Sequence, residues 1–284
     1  MKLIRWGKSG NERTGVIIDD VRYDTSEFGE DYNEQFFGTD GLKRLSSFLK
    51  KNQANLRTVP LNERLAAPFA RPSKILCIGL NYAKHALESN MPIPSEPIIF
   101  MKSTTSLCGP NDSITIPKNS IKTDWEVELA FVISKRASYV SESEGMDYVA
   151  GYCLHNDVSE REFQLERGGT WDKGKGCDTF APMGPFLATP DEIADPHKLR
   201  LWLKLNGALV QDSNTDDLIF NIPFLVSYLS QFMTLLPGDV ISTGTPAGVG
   251  LGFTPPLFLK PGDIVELGIQ GLGESKQLVK AYEA

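Results

Sequence analysis

Leu199, Leu201, Leu203 and Leu205 alternate with Arg200, Trp202 and Lys204. That period of two predicts a strand with one face in a core and the other in solvent. Apolar runs at Lys74–Ile78, Ile98–Met101 and Val149–Leu154 predict further strands, as do Lys2–Trp6, Gly15–Asp19, Asp239–Ser242 and Ile264–Ile269. The Asp239 and Ile264 runs each follow a Pro-Gly-Asp turn. Leu42, Leu45, Phe48 and Leu49 share one face at helical spacing, a short helix is expected from about Tyr82 to Ser89, and Pro223 to Met233 forms an apolar helix. Glycine (25) and proline (18) are spread throughout, which fits many short strands joined by turns. Pro60 to Pro72 reads as a linker. The pattern predicts a strand-rich α+β protein with mixed sheets rolled around a central site. A small N-terminal α/β domain covers 1–70 and a larger catalytic domain covers 71–284. No internal repeat or low-complexity tract is visible.

Into one apolar strand, Asp124-Trp125-Glu126-Val127-Glu128-Leu129-Ala130-Phe131-Val132, two carboxylates intrude. Alternation puts Glu126 and Glu128 on one face, with Val127 on the other. Side by side they repel, more so if buried, and a divalent cation between them would remove the conflict. The Val149–Leu154 run ends in His155-Asn156-Asp157. Two glutamates on one strand and an aspartate ending another suit a hard cation with oxygen ligands, such as Mg2+ or Mn2+. The plainer alternative is a solvated strand face carrying ordinary surface glutamates.

Composition narrows the classes. The 284 residues are enough for a sizeable core. The net charge of −7, without a basic block, argues against a nucleic-acid partner. The first residues, Met1-Lys2-Leu3-Ile4-Arg5-Trp6-Gly7, are too short and charged for a signal peptide, and no apolar run approaches a bilayer span. A cytoplasmic protein with no membrane partner is expected. Cys77, Cys108, Cys153 and Cys177 are far apart and form no Cys-x-x-Cys, so they read as buried free thiols.

Three further clusters carry candidate chemistry. A helix beginning at Asp157 would place Asp157, Arg161 and Gln164 on one face, with Arg161 and Gln164 as donors to a substrate carboxylate or oxo group. An ordinary helix cap is the alternative. His85 and Glu88, one helical turn apart, can form a dyad in which the carboxylate orients the imidazole, or a common surface contact. Gly169-x-x-x-x-Gly174-Lys175 nearly spells a phosphate loop, but Gly176 replaces the required Ser or Thr. Lys175 could instead stabilise an oxyanion or enolate, or lie in a surface loop. Ser242 to Gly250 superficially suggests a dinucleotide loop, but Phe253-Thr254-Pro255-Pro256 precludes the following helix.

Taken in order, these segments resemble the fumarylacetoacetate hydrolase family over roughly residues 73–283. The motifs are Ile78-Gly79-Leu80-Asn81-Tyr82 with His85 and Glu88; Trp125-Glu126-Val127-Glu128; Asn156-Asp157-Val158-Ser159 with Arg161 and Gln164; Lys175 to Asp178 leading to Pro182-x-Gly184-Pro185; and Thr243-Gly244-Thr245-Pro246. The resemblance implies a β-roll-like fold, a divalent cation (commonly Mg2+, with Mn2+ or Ca2+ as options), a homodimer, and cleavage or rearrangement of 2-oxo or 2,4-dioxo acids. By position it makes Glu126, Glu128 and Asp157 the metal ligands and His85–Glu88 the acid–base dyad. Lys175 becomes the charge stabiliser, and Arg161, Gln164 and Thr245 become substrate contacts. Asp172 and Lys173 depart from the Ala and Arg that many members carry there. The expected reaction is C–C hydrolysis of an acylpyruvate or a 2,4-diketo-3-deoxy sugar acid to pyruvate and a carboxylic acid. A lyase on the same site (oxaloacetate decarboxylase, 2-oxo acid hydratase or ureidoglycolate lyase) is one alternative, and a non-catalytic metal- or metabolite-binding protein is another.

Overall fold

The protein is represented by a computed structural model, which describes residues 1–88 and 92–283. Val127–Ile133, buried at every residue, is the hub of the larger sheet. It pairs antiparallel with Val149–Asn156 on one side and Val240–Ser242 on the other. Ile75–Gly79 then adds parallel to Val240–Ser242, and Ile98–Lys102 closes that edge. On the other edge, Leu187–Ala188 links Val149–Asn156 to Lys2–Trp6, which pairs in turn with Arg13–Ile18. The N-terminal strands therefore extend the same sheet that holds the central strand.

Apart from Glu128, the central strand is apolar on both faces because both are covered. Val127, Leu129, Phe131 and Ile133 face a five-stranded sheet through Leu201, Leu203, Val265 and Leu267. Ala130 and Val132 face the opposite way, in a cluster with Phe36, Leu45 and Leu49 of the N-terminal segment. Fully burying one such leucine contributes about 1.5–3 kcal/mol, so this two-sided cover holds the strand rigidly. Arg200–Leu205 alternates buried leucines with partly exposed residues, as its sequence predicts.

Helices form at Gly41–Asn52 and Ile222–Phe232 close to the predicted places. The short helix spans Ala83–Glu88, and its expected last residue, Ser89, lies outside the described residues. Two segments differ from expectation. The stretch read as a linker is packed at residues 65–69, because Leu65–Ala66 pairs with Arg5–Trp6 and Phe69 enters the core. No helix begins at Asp157. The Asp157 N–H donates to Glu126 O, Val158 to Phe180 O and Arg161 to Lys122 O, while Ser159–Glu160 pairs with Thr123–Asp124. With those amides bonded across the fold, only one π-helical turn follows, at Glu162–Glu166. Among the described residues no helix is long and apolar enough to cross a membrane. All four cysteines are free, with Cys77 and Cys153 buried and Cys108 and Cys177 half-buried.

Candidate active site

The site lies where Val149–Asn156, Val240–Ser242 and Ile75–Gly79 end and the central strand begins. Glu126 and Glu128 point to one face, as the alternation requires, and the Asp157 amide on Glu126 O brings the third carboxylate beside them. One oxygen from each of Glu126, Glu128 and Asp157 lies within 4.8 Å of the others, and all three residues are buried. The solvated-face alternative is therefore excluded by burial.

Each carboxylate is held from behind. Glu128 Oε2 accepts from Ser242 Oγ (2.5 Å) and the Gly244 amide (3.0 Å). Glu126 accepts from Arg161 on Oε1 and Lys175 on Oε2, at 2.8 and 2.7 Å. Asp157 pairs with Lys102 at 2.5 Å and Lys175 at 2.9 Å. Burial, with Asp157 and Glu126 alongside, pushes the Glu128 carboxyl well above its ordinary range. Burial would also raise Asp157, but Lys102 and Lys175 outweigh it and hold that carboxyl low. Three buried, oxygen-only donors, one of them strained toward protonation by its neighbours, fit a hard divalent cation.

A cavity of about 540 Å3 opens over this cluster. His85, Glu88, Arg161, Gln164, Lys175 and Thr245 line it together with Glu126 and Glu128, and Asp157 lies beneath. His85 Nδ1 is 3.0 Å from Glu88 Oε2, so the dyad forms. Glu88 Oε1 accepts from the Gly248 amide (2.9 Å), while Gly248 O accepts from the indole N–H of buried Trp125 (3.1 Å). One glycine thus ties the dyad to the carboxylate strand. Its φ is +102°, and a Cβ there would lie 1.9 Å from Val210 O. Burial raises the Glu88 carboxyl, but the hydrogen bonds from His85 and Gly248 outweigh it and keep it below its ordinary value.

Lys175 is not on a surface loop. It ends a one-turn helix, Asp172–Lys175, pressed against the Glu162–Glu166 turn. A Cβ on Gly174 would meet Glu160 O at 2.4 Å, so glycine permits the approach that carries Lys175 inward. Arg161 spends its guanidinium on Asp124, Glu126 and Gln164 Oε1, which leaves the Gln164 amide N–H without a hydrogen bond among the described residues. Thr245 Oγ1 donates to Val127 O and accepts from Gln211.

Two members of the cluster escaped the sequence reading. Lys102 is buried on the same face as Phe100, with Met101 exposed between them. Asp124 accepts from Arg161 and from the Gly250 and Leu251 amides. The signal for Asp124 was its even spacing with Glu126 and Glu128. That for Lys102 was its inward register at the end of an apolar strand.

The model of the fumarylacetoacetate (FAA) hydrolase C-terminal domain matches residues 74–280. The chain belongs to the fumarylacetoacetate hydrolase family. It is 52% identical over 283 residues, 99% of each chain, to a Burkholderia multivorans protein whose name says hydrolase and gives no substrate. Its fold matches the 5-carboxymethyl-2-hydroxymuconate delta-isomerase of Mycobacterium smegmatis with a TM-score of 0.78, 33% identity and all of both chains covered. It also matches the maleylpyruvate hydrolase of Sphingobium sp. SYK-6, solved with manganese(II) and pyruvate, with a TM-score of 0.83, 29% identity and all of both chains covered. These matches place the chain in an enzyme superfamily of hydrolases and isomerases with the strand-rich α+β fold described above.

Proposed function

We propose that this protein is a divalent-cation-dependent hydrolase that cleaves the C–C bond of a 2,4-dioxo acid, releasing pyruvate and a carboxylic acid. The observation that carries the reading is that a His–Glu dyad lines the same cavity as Glu126 and Glu128 of a buried carboxylate triad. Glu126, Glu128 and Asp157 hold the cation, with Mg2+ the first choice and Mn2+ or Ca2+ as substitutes. When bound, the cation supplies Lewis-acid polarisation and a template for the 2-oxo acid end of the substrate.

Glu88 accepts from Nδ1 of His85 and so leaves the Nε2 lone pair to take a proton from water. The water oxygen bonds to C4. The C3–C4 bond then breaks, its electron pair passes to C3, and the resulting pyruvate enolate takes back at C3 the proton that His85 accepted from water. Lys175 keeps Glu126 and Asp157 in place and offsets negative charge as it develops. Gln164 offers its amide N–H to the substrate, and Thr245 and Arg161 fix the cavity wall. A homodimer goes with this reading, and light scattering against the 31.4 kDa chain mass tests it.

The delta-isomerase among the solved relatives favours one competing reading, in which the dyad moves a proton between carbons without water. Purified Mg2+-loaded protein, given an acylpyruvate, separates the two. Loss of enol absorbance with stoichiometric pyruvate, abolished by chelator and restored by Mg2+, is the expected result. No pyruvate from protein that still binds metal would reject hydrolysis and direct testing to isomerase and decarboxylase substrates.

A further inference from the structure

Without metal or substrate the site holds two more carboxylates than cations. Its carboxylates are Glu88, Asp124, Glu126, Glu128 and Asp157, and its cations are Lys102, Arg161 and Lys175. A single divalent cation brings this set to neutrality. Each protein cation is already committed: Lys102 to Asp157, Arg161 to Asp124 and Glu126, and Lys175 to Glu126 and Asp157. His85 is paired with Glu88. Away from these groups the cavity wall is uncharged among the described residues, formed by side chains such as Leu80, Phe100, Leu165, Trp171, Leu251 and Phe253. Residues 89–91 are Ser, Asn and Met and add no cation.

A bound metal can meet one substrate carboxylate at the 2-oxo acid end. A second carboxylate, at the acyl end, would be desolvated against an apolar wall with no cation to pair with it. Resting on the proposed 2,4-dioxo acid reading, we infer that the substrate is a monocarboxylate whose acyl group is uncharged. Maleylpyruvate, named for one solved relative, carries a second carboxylate and lies outside that class. Selection against the dicarboxylate comes from the missing counter-charge rather than from a clash.

The test uses two unreactive 2-oxo acids of equal length, 2-oxohexanoate and 2-oxohexanedioate. Each is titrated calorimetrically into the Mn2+-loaded protein. The monocarboxylate is expected to bind roughly tenfold or more tightly than the dicarboxylate, the factor that one unpaired, partly desolvated charge supports. Equal or tighter binding of the dicarboxylate would overturn the inference and leave the hydrolase reading intact. Binding of neither acid would overturn the 2-oxo acid reading and this inference with it. Selective binding of the monocarboxylate, with no pyruvate formed from an acylpyruvate, would uphold the inference and remove only hydrolysis.

Discussion

Lys102 Nζ lies 2.5 Å from Asp157 Oδ1, and neither side chain reaches solvent. Lys102 also donates to Val158 O at 3.0 Å, so it ties the third carboxylate to the backbone beside it. Removing Lys102 leaves buried Asp157 with Lys175 as its remaining charge partner. Lys102→Met should lower the unfolding free energy in chelator by about 1–3 kcal/mol, less than for a wholly unpaired buried charge. Because the variant cluster has lost a positive charge, added Mg2+ should recover more stability in it than in the wild type. Urea unfolding with and without Mg2+ measures both effects, and an unchanged midpoint in chelator would show the pair to be energetically idle.

The dyad makes a separable prediction. His85→Ala removes the proposed base but touches none of the three carboxylates, so kcat should fall by roughly 100-fold or more while Mn2+ affinity stays the same. Glu88→Gln should cost less, because the ring remains and only its orientation and basicity change. Steady-state kinetics on an acylpyruvate, paired with a metal titration, decide this. A near-normal kcat in His85→Ala would reassign the base.

Much of this site was legible because strand alternation is rigid. Glu126 and Glu128 could only share a face, and the His85–Glu88 spacing could only bring the pair together on a helix. The same logic failed at Asp157–Gln164. There the helical spacing of Asp157, Arg161 and Gln164 was real, yet the Asp157, Val158 and Arg161 amides bond to distant segments and interrupt the helix. Long-range pairings of that kind leave no local pattern. They also explain the packed 65–69 segment, which reads as a linker until Leu65–Ala66 meets Arg5–Trp6. Arg161 and Gln164 still reach the cavity, but with Arg161 turned onto Asp124 and Glu126.

Metal affinity should depend on Glu128 in a way that leaves the fold alone. Ser242 Oγ and the Gly244 amide both donate to Glu128 Oε2, and a glutamine at this position keeps an oxygen to accept them. Glu128→Gln should therefore fold normally and weaken Mn2+ binding by roughly 100-fold or more, at or beyond the upper end of what outer-shell changes alone produce. Glu126→Gln should weaken metal binding too, but with a stability loss, since Arg161 and Lys175 both lose a charged partner. An unaltered Mn2+ titration of Glu128→Gln would refute its role as a ligand.

The acid limb of stability should carry a contribution from His155. This residue is fully buried, its Nδ1 lies 2.7 Å from Ser242 Oγ, and its Nε2 has no hydrogen-bond partner among the described residues. Because Ser242 gives its own proton to Glu128, Nδ1 is the donor to Ser242, and burial keeps the ring neutral. Burial pushes the His155 pKa down to about 3, against about 6.5 in the unfolded chain. The unfolded state therefore binds the extra proton first. The stability contributed by the neutral ring is complete above about pH 6.5 and declines as pH falls from there toward 3. His155→Asn keeps an N–H for Ser242 and removes the titration, so its stability in chelator should fall less steeply over that window, by up to one proton of slope. Unfolding free energies measured at pH 7, 6, 5 and 4 in both proteins test this. Parallel curves would assign the acid limb to the carboxylates alone.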